Sequence, residues 1–252
     1  MIRLNRRPRG KPSEKRISPP PYPPVLELCN DPHKYSSCQQ FLCETVHNNM
    51  QTPKKRRRGR PREYDADKAL ASAAECFWRY GYSGTSLDAL ATATGMNRPS
   101  LYAAFGDKHD LYLKTLRRYR DESRTTAQAL LVDRPPLRTF LERFYGAALD
   151  VYFGGSEGAR GCYSIGTAAT ESAADPAVRA FLDDSIRSTD AFFSALIRSG
   201  TGKKQVRAKA DPDALARILT ATLHTLAVRS RAGQSREELE RLATTAIDMV
   251  CK

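Results

Sequence analysis

The segment TSLDALATATGMNRPSLYAAFGDK, residues 85–108, constrains the fold more than any other part of the chain. Thr85 or Ser86 predicts a helix start, because hydroxyl side chains cap the free amides of a first turn. Apolar residues follow at helical spacing until Gly95, which predicts a break. Asn97 then predicts the cap of a second short helix. The segment is therefore expected to form two short helices joined by a tight turn.

The apolar residues of this segment predict the buried face of both helices. They are Leu87, Leu90, Ala91, Met96, Leu101 and Phe105. The first turn of the second helix is left exposed and carries Arg98, Pro99 and Ser100. This arrangement fits a DNA major groove. Arg98 has the length to contact either a guanine edge or a phosphate, whereas the hydroxyls of Ser100 and Tyr102 suit phosphate.

On these residues the segment resembles the helix-turn-helix of the TetR family of bacterial transcriptional regulators. The matching residues are Phe77, Gly81, Tyr82, Thr85, Ser86, Gly95, Leu101, Tyr102, Phe105 and Lys108. The resemblance covers about 64–111, and the rest matches only in length and helical character. It implies that Thr85, Ser100, Tyr102 and Lys108 hold the DNA backbone while Arg98 and Pro99 contact bases. Ala103 and Ala104 depart from the pattern and shorten the surface that contacts bases.

The net charge of +13 is concentrated near the start of the chain. Residues 1–62 hold 15 Lys and Arg against 4 acids, which gives +11 and leaves +2 for the remainder. Residues 1–53 are Pro-rich without an apolar period and are expected to be disordered, with Met50 as a hypothetical natural start. Residues 54–63 form a basic arm that is expected to follow phosphates. Arg60 in this arm is a candidate for a narrow minor groove.

Several potential zinc ligands lie in the first 50 residues. They are Cys29, His33, Cys38, Cys43 and His47. Their spacing contains no compact Cys-x-x-Cys pair, so we expect no metal site there. We also expect no cofactor, since the chain contains no Gly-rich phosphate loop.

The remainder, residues 111–252, is expected to be entirely helical. A long helix is predicted from residue 108 to 131, followed by helices over 137–153, 162–171, 175–199, 211–233 and 235–250. The expected fold is all-α and TetR-like. A three-helix helix-turn-helix domain over 64–110 precedes a larger helical domain for effector binding and dimerisation over 111–252. The last two helices are apolar over more than one stripe, which predicts a homodimer.

The larger domain contains aromatic side chains that could line an apolar effector pocket. The candidates are Phe144, Tyr145, Tyr152, Tyr163, Phe192 and the mid-helix His224. Each of these is individually also explained as ordinary core. Cys162 follows Gly161 at a predicted helix start, where the helix dipole would lower a thiol pKa. Cys162 is therefore either a sensor of electrophiles or a buried small apolar residue.

The chain lacks the motifs that an enzyme of this size would need. It contains no His-Glu-x-x-His, no Gly-x-Ser-x-Gly and no Walker-type loop, and we expect no catalytic residue. The function expected is that of a cytoplasmic, sequence-specific regulator, usually a repressor in this family. A small molecule or an electrophile would release it from a double-stranded DNA operator. The alternatives are a small cysteine-dependent enzyme with Cys162 and His224, and a ligand-independent architectural DNA binder. No segment has the length and hydropathy for a membrane span.

Overall fold

The computed structural model of the chain describes residues 65–155, 158–207 and 211–252. These residues form the helices α1 (Ala66–Gly84), α2 (Leu87–Thr94), α3 (Arg98–Phe105), α4 (Lys108–Ala129), α5 (Leu137–Phe153), a π-helix (Ser164–Ala168), α6 (Ala169–Glu171), α7 (Pro176–Gly202), α8 (Pro212–Arg231) and α9 (Arg236–Val250). The part of the chain described contains no strand beyond two isolated bridges. The all-helical expectation is confirmed.

Local capping explains where the first helices begin and end. Asp65 caps α1 by accepting from the amides of the first turn. Gly81 interrupts α1 with a φ of 71°, in the left-handed region that glycine tolerates, so the predicted break is confirmed. Ser86 caps α2 by accepting from the Ala89 amide at 3.0 Å. Gly95 ends α2 with a left-handed φ of 67°.

Two clusters of buried side chains support the fold. The N-terminal core joins α1–α3 to the first half of α4, and it also includes Tyr163, Val178 and Phe181 from further along the chain. The body core joins α5, α7, α8 and α9. Because the N-terminal core takes residues from both sides of the predicted division at 110/111, that division does not separate two independent cores. The domain boundaries stay a prediction, and those within 1–63 lie outside the described residues.

The later helices follow their predicted signals closely. Asp211 caps α8, and Ser235 forms a capping box with Glu238 at the start of α9, both as expected. Helix α7 extends to Gly202, three residues beyond its predicted end. The π-helix was not expected, because the sequence has no local signal for it. Of the described helices, none combines the length and apolarity needed to cross a membrane.

Candidate nucleic-acid interface and effector site

Helix α3 has one small exposed face, and its opposite face is buried in the protein. Asn97 caps the helix by accepting from the Ser100 amide at 2.9 Å. Leu101 and Phe105 are buried against α1 and α4. Tyr102 is 45 % exposed on the other side of the helix, together with the exposed Pro99. The candidate DNA-binding residues of α3 therefore lie on the solvent-facing side.

Arg98 contacts an acidic side chain of α2. Its Nε donates to Asp88 Oδ1 at 2.9 Å, and this bond raises the pKa of the guanidinium. Both side chains are at least half exposed, so the ion pair is weak in energy. Asp88 thus pairs with Arg98, in addition to lying in the first turn of α2.

Thr85 has a structural contact that the sequence did not indicate. The residue is 1 % exposed, and its hydroxyl donates to the Gly81 carbonyl oxygen at 2.6 Å. The hydroxyl closes the turn between α1 and α2, and it is not free to contact phosphate. The cap of α2 is Ser86. The burial of this hydroxyl argues against a contact between the Thr85 side chain and the DNA backbone, which stays a prediction.

Lys108 has a protein partner that the sequence did not indicate. Its ammonium lies 4.4 Å from the centroid of the Tyr82 ring, an attractive cation–π geometry. Burial lowers the pKa of Lys108. We expected a phosphate to explain a lysine at a helix start, but the Tyr82 ring explains it equally well. The phosphate contact stays a prediction, and Arg60 lies outside the described residues.

Most of the effector candidates meet in the body core. Phe144 packs edge-on against Tyr145 and Phe193, and it contacts Phe192 at a centroid distance of 6.4 Å. Tyr145 and Tyr152 are buried, and burial raises the pKa of both phenols. Phe144 and Phe192 are only partly buried at the edge of this core.

Tyr163 lies in a different place from the other aromatic candidates. It is fully buried in the N-terminal core, where its ring centroid is 5.4 Å from that of Trp78. Its hydroxyl forms a 2.7 Å hydrogen bond with the Thr115 hydroxyl of α4. Tyr163 lines a cavity with Trp78 and Tyr119, apart from the body aromatics, and its part in effector binding stays a prediction. The residue joins α4 to the segment before the π-helix.

The surroundings of Cys162 bury its thiol, and this burial makes the thiol less acidic. Burial raises the pKa of Cys162, although backbone hydrogen bonds from Ile165 and Ser164 act in the opposite direction. The Tyr119 hydroxyl lies 3.5 Å from Sγ. The expectation of a lowered thiol pKa is wrong, because desolvation outweighs the helix start.

His224 is a partly buried residue of α8. Burial lowers the pKa of its imidazole, against the opposing field of the Asp190 carboxylate. The hydrogen bonds described for the Cys162 thiol come from Tyr119, Tyr152 and nearby backbone amides, and His224 is not among these partners. The geometry therefore gives no support to a Cys162–His224 pair.

One group of possible metal ligands occurs among the described residues. Oxygen and nitrogen atoms of Asp107, His109 and Asp110 lie within 4.8 Å of one another. Asp107 caps α4 by accepting from the Asp110 amide, and His109 Nε2 lies 2.6 Å from the Asp175 carboxylate. These protein contacts explain the group as a capped helix start.

The sequence interpretation missed a contact between α1 and the segment before Cys162. Arg160 Nη1 contacts both carboxylate oxygens of Glu75, and the guanidinium carbon lies 3.8 Å from the centroid of the Trp78 ring. These residues are more than 80 positions apart. No local pattern indicates such a pair, so only the folded chain reveals it.

Comparisons with known proteins agree with this architecture. The family model "Bacterial regulatory proteins, tetR family" matches residues 69–115, and "Tetracyclin repressor-like, C-terminal domain" matches residues 137–246. The HTH-type transcriptional repressor ComR of Escherichia coli (strain K12) is 29 % identical over 198 residues, which cover 77 % of this chain and 92 % of ComR. YezE of Bacillus subtilis (strain 168), an uncharacterized HTH-type transcriptional regulator, is 32 % identical over 76 % of this chain and 92 % of its own.

Solved structures show the same relationship. A triple cysteine mutant of the TetR family transcriptional regulator CifR, complexed with 26-bp double-strand operator DNA, is 30 % identical, with a TM-score of 0.69. The match covers 76 % of this chain and 100 % of that one. The helix-turn-helix, the helical body and these relatives together establish that the chain is a DNA-binding transcriptional regulator of the TetR family.

Proposed function

We propose that the chain acts as a homodimeric repressor that releases its operator when a small molecule binds the body core. One α3 from each subunit would enter one of two neighbouring major grooves. The observation that carries this proposal is that the first turn of α3 is exposed while the apolar face of the helix, with Leu101 and Phe105, is buried. It is supported by CifR, which this chain matches over the whole of the CifR chain and which is solved with operator DNA.

The DNA contacts would be divided between α3 and its surroundings. Pro99 and Arg98 would face base edges, and Ser100, Tyr102 and Lys108 would contact phosphates. A guanidinium has five N–H donors, and only two nitrogens of Arg98 contact Asp88. Asp88 can therefore hold the plane of Arg98 while another edge of the guanidinium contacts DNA. The basic arm, residues 54–63 with Arg60, would add phosphate contacts and affinity.

The dimer would form through α8 and α9. Helix α8 exposes Ile218 and Val228, and α9 exposes Met249, all large apolar side chains. A second copy that packs its own α8 and α9 on this face would bury them in a four-helix bundle. This arrangement would place two copies of α3 on one face of the assembly.

The effector would enter the body core beside Phe144 and Phe192. These rings belong to α5 and α7, and Phe144 packs on the more deeply buried Tyr145. Their partial burial suits side chains that move aside for an apolar ligand. The His224 imidazole is a candidate polar contact for orienting the ligand. Modification of Cys162 stays a second hypothesis, which the raised thiol pKa disfavours.

The proposal is tested by selecting DNA with the purified protein and measuring affinity for the selected sequence at several salt concentrations. We expect two half-sites about one helical turn apart and a steep fall of affinity with salt. Arg98→Ala should relax base preference, while Arg187→Ala, on the exposed face of α7, should leave it unchanged. A protein that selects no sequence, or one whose affinity barely depends on salt, would contradict the proposal.

The effector step has a test of its own. Phe144→Ala should alter or abolish the response of operator binding to a small-molecule library hit, without changing operator affinity in its absence. Alkylation of Cys162 followed by the same binding measurement distinguishes release by thiol modification from release by a bound small molecule. Unchanged DNA binding by the alkylated protein would remove Cys162 as a sensor.

A further inference from the structure

We infer that Arg160 is a positioning residue for operator binding, which fixes α1 on the body and so holds the two recognition helices of the dimer at one separation. The inference rests on the proposed dimeric mode of binding. It assigns to Arg160 a role that acts through the orientation of the helix-turn-helix, without contact to DNA.

On the DNA-binding side, Arg160 holds two residues of α1. Its Nη1 lies 2.7 Å from Glu75 Oε1 and 2.9 Å from Oε2. Its guanidinium carbon lies 3.8 Å from the centroid of the Trp78 ring, and the Trp78 indole donates to the Arg160 carbonyl oxygen at 3.1 Å. Glu75 and Trp78 are three residues apart, which places them on the same face of the helix. Side chain and backbone of Arg160 therefore both bind α1.

On the other side, Arg160 is anchored to the body. Its Nε donates to the Val151 carbonyl oxygen at 3.2 Å, and its backbone amide donates to the Tyr152 carbonyl oxygen at 2.8 Å. The next residue, Gly161, has a φ of 65°, and a Cβ atom there would lie 2.5 Å from the Ala227 carbonyl oxygen of α8. The segment is thus pressed against α5 and α8. Arg160 connects α5 directly to α1, and the neighbouring Gly161 lies against α8.

This contact is a second attachment, separate from α4. Helix α4 is covalently continuous with the helix-turn-helix, and it is held to the body by hydrogen bonds from Tyr112 to Thr167 and between Thr115 and Tyr163.

Helix α1 also contacts the body directly, through the hydrogen bond from Ser83 to Glu171 at 3.2 Å and the packing of Trp78 on Tyr163. Arg160 adds a charged contact to these and further restricts the pivoting of α1–α3 about α4. Less orientational freedom remains to be lost when two half-sites are bound at once.

The size of the effect follows from the exposure of the pair. The Arg160 side chain is 26 % exposed and that of Glu75 is 62 % exposed, so solvent screens the ion pair. A partly exposed ion pair with an added guanidinium–aromatic contact is expected to change affinity by about three- to tenfold. Because Arg160 does not belong to α2 or α3, affinity for a single half-site should not change.

The experiment compares the dissociation constants of the full chain for a complete operator and for DNA with one half-site. Arg160→Gln should bind the complete operator about three- to tenfold more weakly and the half-site as tightly as wild type. Glu75→Gln should show a smaller loss in the same direction. The double variant should lose no more than Arg160→Gln alone, because both changes remove one interaction. Arg143→Gln, which breaks the Arg143–Asp133 pair within the body, is the control and should change neither constant.

Each contrary outcome is distinct. Equal losses on the half-site and on the complete operator would show a general defect and overturn the role of Arg160, as would no loss on either. If Arg160→Gln fails to fold, Glu75→Gln decides, since its exposed side chain supports no core. A wild-type protein that binds two half-sites no more tightly than one would overturn the dimeric mode itself, and the inference with it.

Discussion

Single hydroxyl and imidazole groups contribute to turn geometry and to stability in this protein, and Thr85 is the clearest case. Its side chain hydrogen-bonds to the Gly81 carbonyl in the turn that separates α1 from α2. Gly81 has a positive φ in this turn, so the turn depends both on that glycine and on the hydrogen bond from Thr85. The place of Thr85 in the sequence predicts a DNA contact, whereas its buried and hydrogen-bonded side chain is typical of a structural residue.

Thr85→Val should lower the free energy of unfolding by about 1–3 kcal/mol, because it leaves a buried carbonyl without its donor. Chemical denaturation measures this change. Operator affinity per folded molecule should stay at the wild-type value. Thr92→Val, on the exposed side of α2, is the matched control and should change stability by less than about 0.5 kcal/mol. Normal stability with weakened operator binding would restore the phosphate contact.

His224 predicts a dependence of stability on pH. Because burial lowers the pKa of the folded imidazole, the unfolded chain binds a proton more readily than the native one. Stability therefore increases with pH until the unfolded histidine is neutral, and it is lost on acidification below about pH 6.5. His224→Gln should reduce the loss of melting temperature between about pH 7.5 and about pH 5.5. An unchanged difference in melting temperature would contradict the assignment.

At the scale of elements, the recognition helix is held at both ends. Asn97 satisfies its first amides, and at the other end the Lys114 ammonium of α4 donates to the Phe105 carbonyl oxygen at 2.6 Å. A cation suits the C-terminal end of a helix, where the free carbonyls carry partial negative charge. Helix α3 is only eight residues long, so these terminal contacts contribute a large part of its order.

Lys114→Met should loosen the C-terminal end of α3. We expect faster amide hydrogen exchange in α3, a loss of stability of about 0.5–1 kcal/mol and a modest loss of operator affinity. The slope of affinity against salt should not change. A slope smaller by about one would show that Lys114 contacts a phosphate instead. Lys203→Met, in the turn after α7, is the control and should leave α3 exchange unchanged.

At the scale of the whole molecule, the exposed apolar face of α8 and α9 is expected to be a subunit interface. Val228 is 58 % exposed in the single chain, which is unusual for valine in a well-packed helical domain. Dimerisation would also let the protein bind two half-sites with one small recognition surface per subunit.

Val228→Asp should convert the protein to a monomer by light scattering, because a charge cannot be buried unpaired in the bundle. Its operator affinity should fall to that of a single half-site. Val132→Asp is the control: Val132 is 83 % exposed between α4 and α5, and the charged variant should stay dimeric. A dimeric Val228→Asp protein would place the interface elsewhere.

The sequence by itself determined the helix-turn-helix, the all-helical body and most helix ends. These depend on local interactions, such as the cap of Ser86 on the Ala89 amide, whose partners lie within a few residues. The exposed residues of α3 could be predicted for the same reason, since helical spacing separates Tyr102 from the buried Leu101 and Phe105.

Only the tertiary structure decided which side chains meet across the chain. It buried Thr85, placed the Tyr163 hydroxyl against Thr115 of α4, and raised the thiol pKa of Cys162. It also brought Arg160 to Trp78, 82 residues away. Such contacts depend on how whole helices pack, and desolvation depends on every neighbour that packing supplies. No spacing along one segment contains that information.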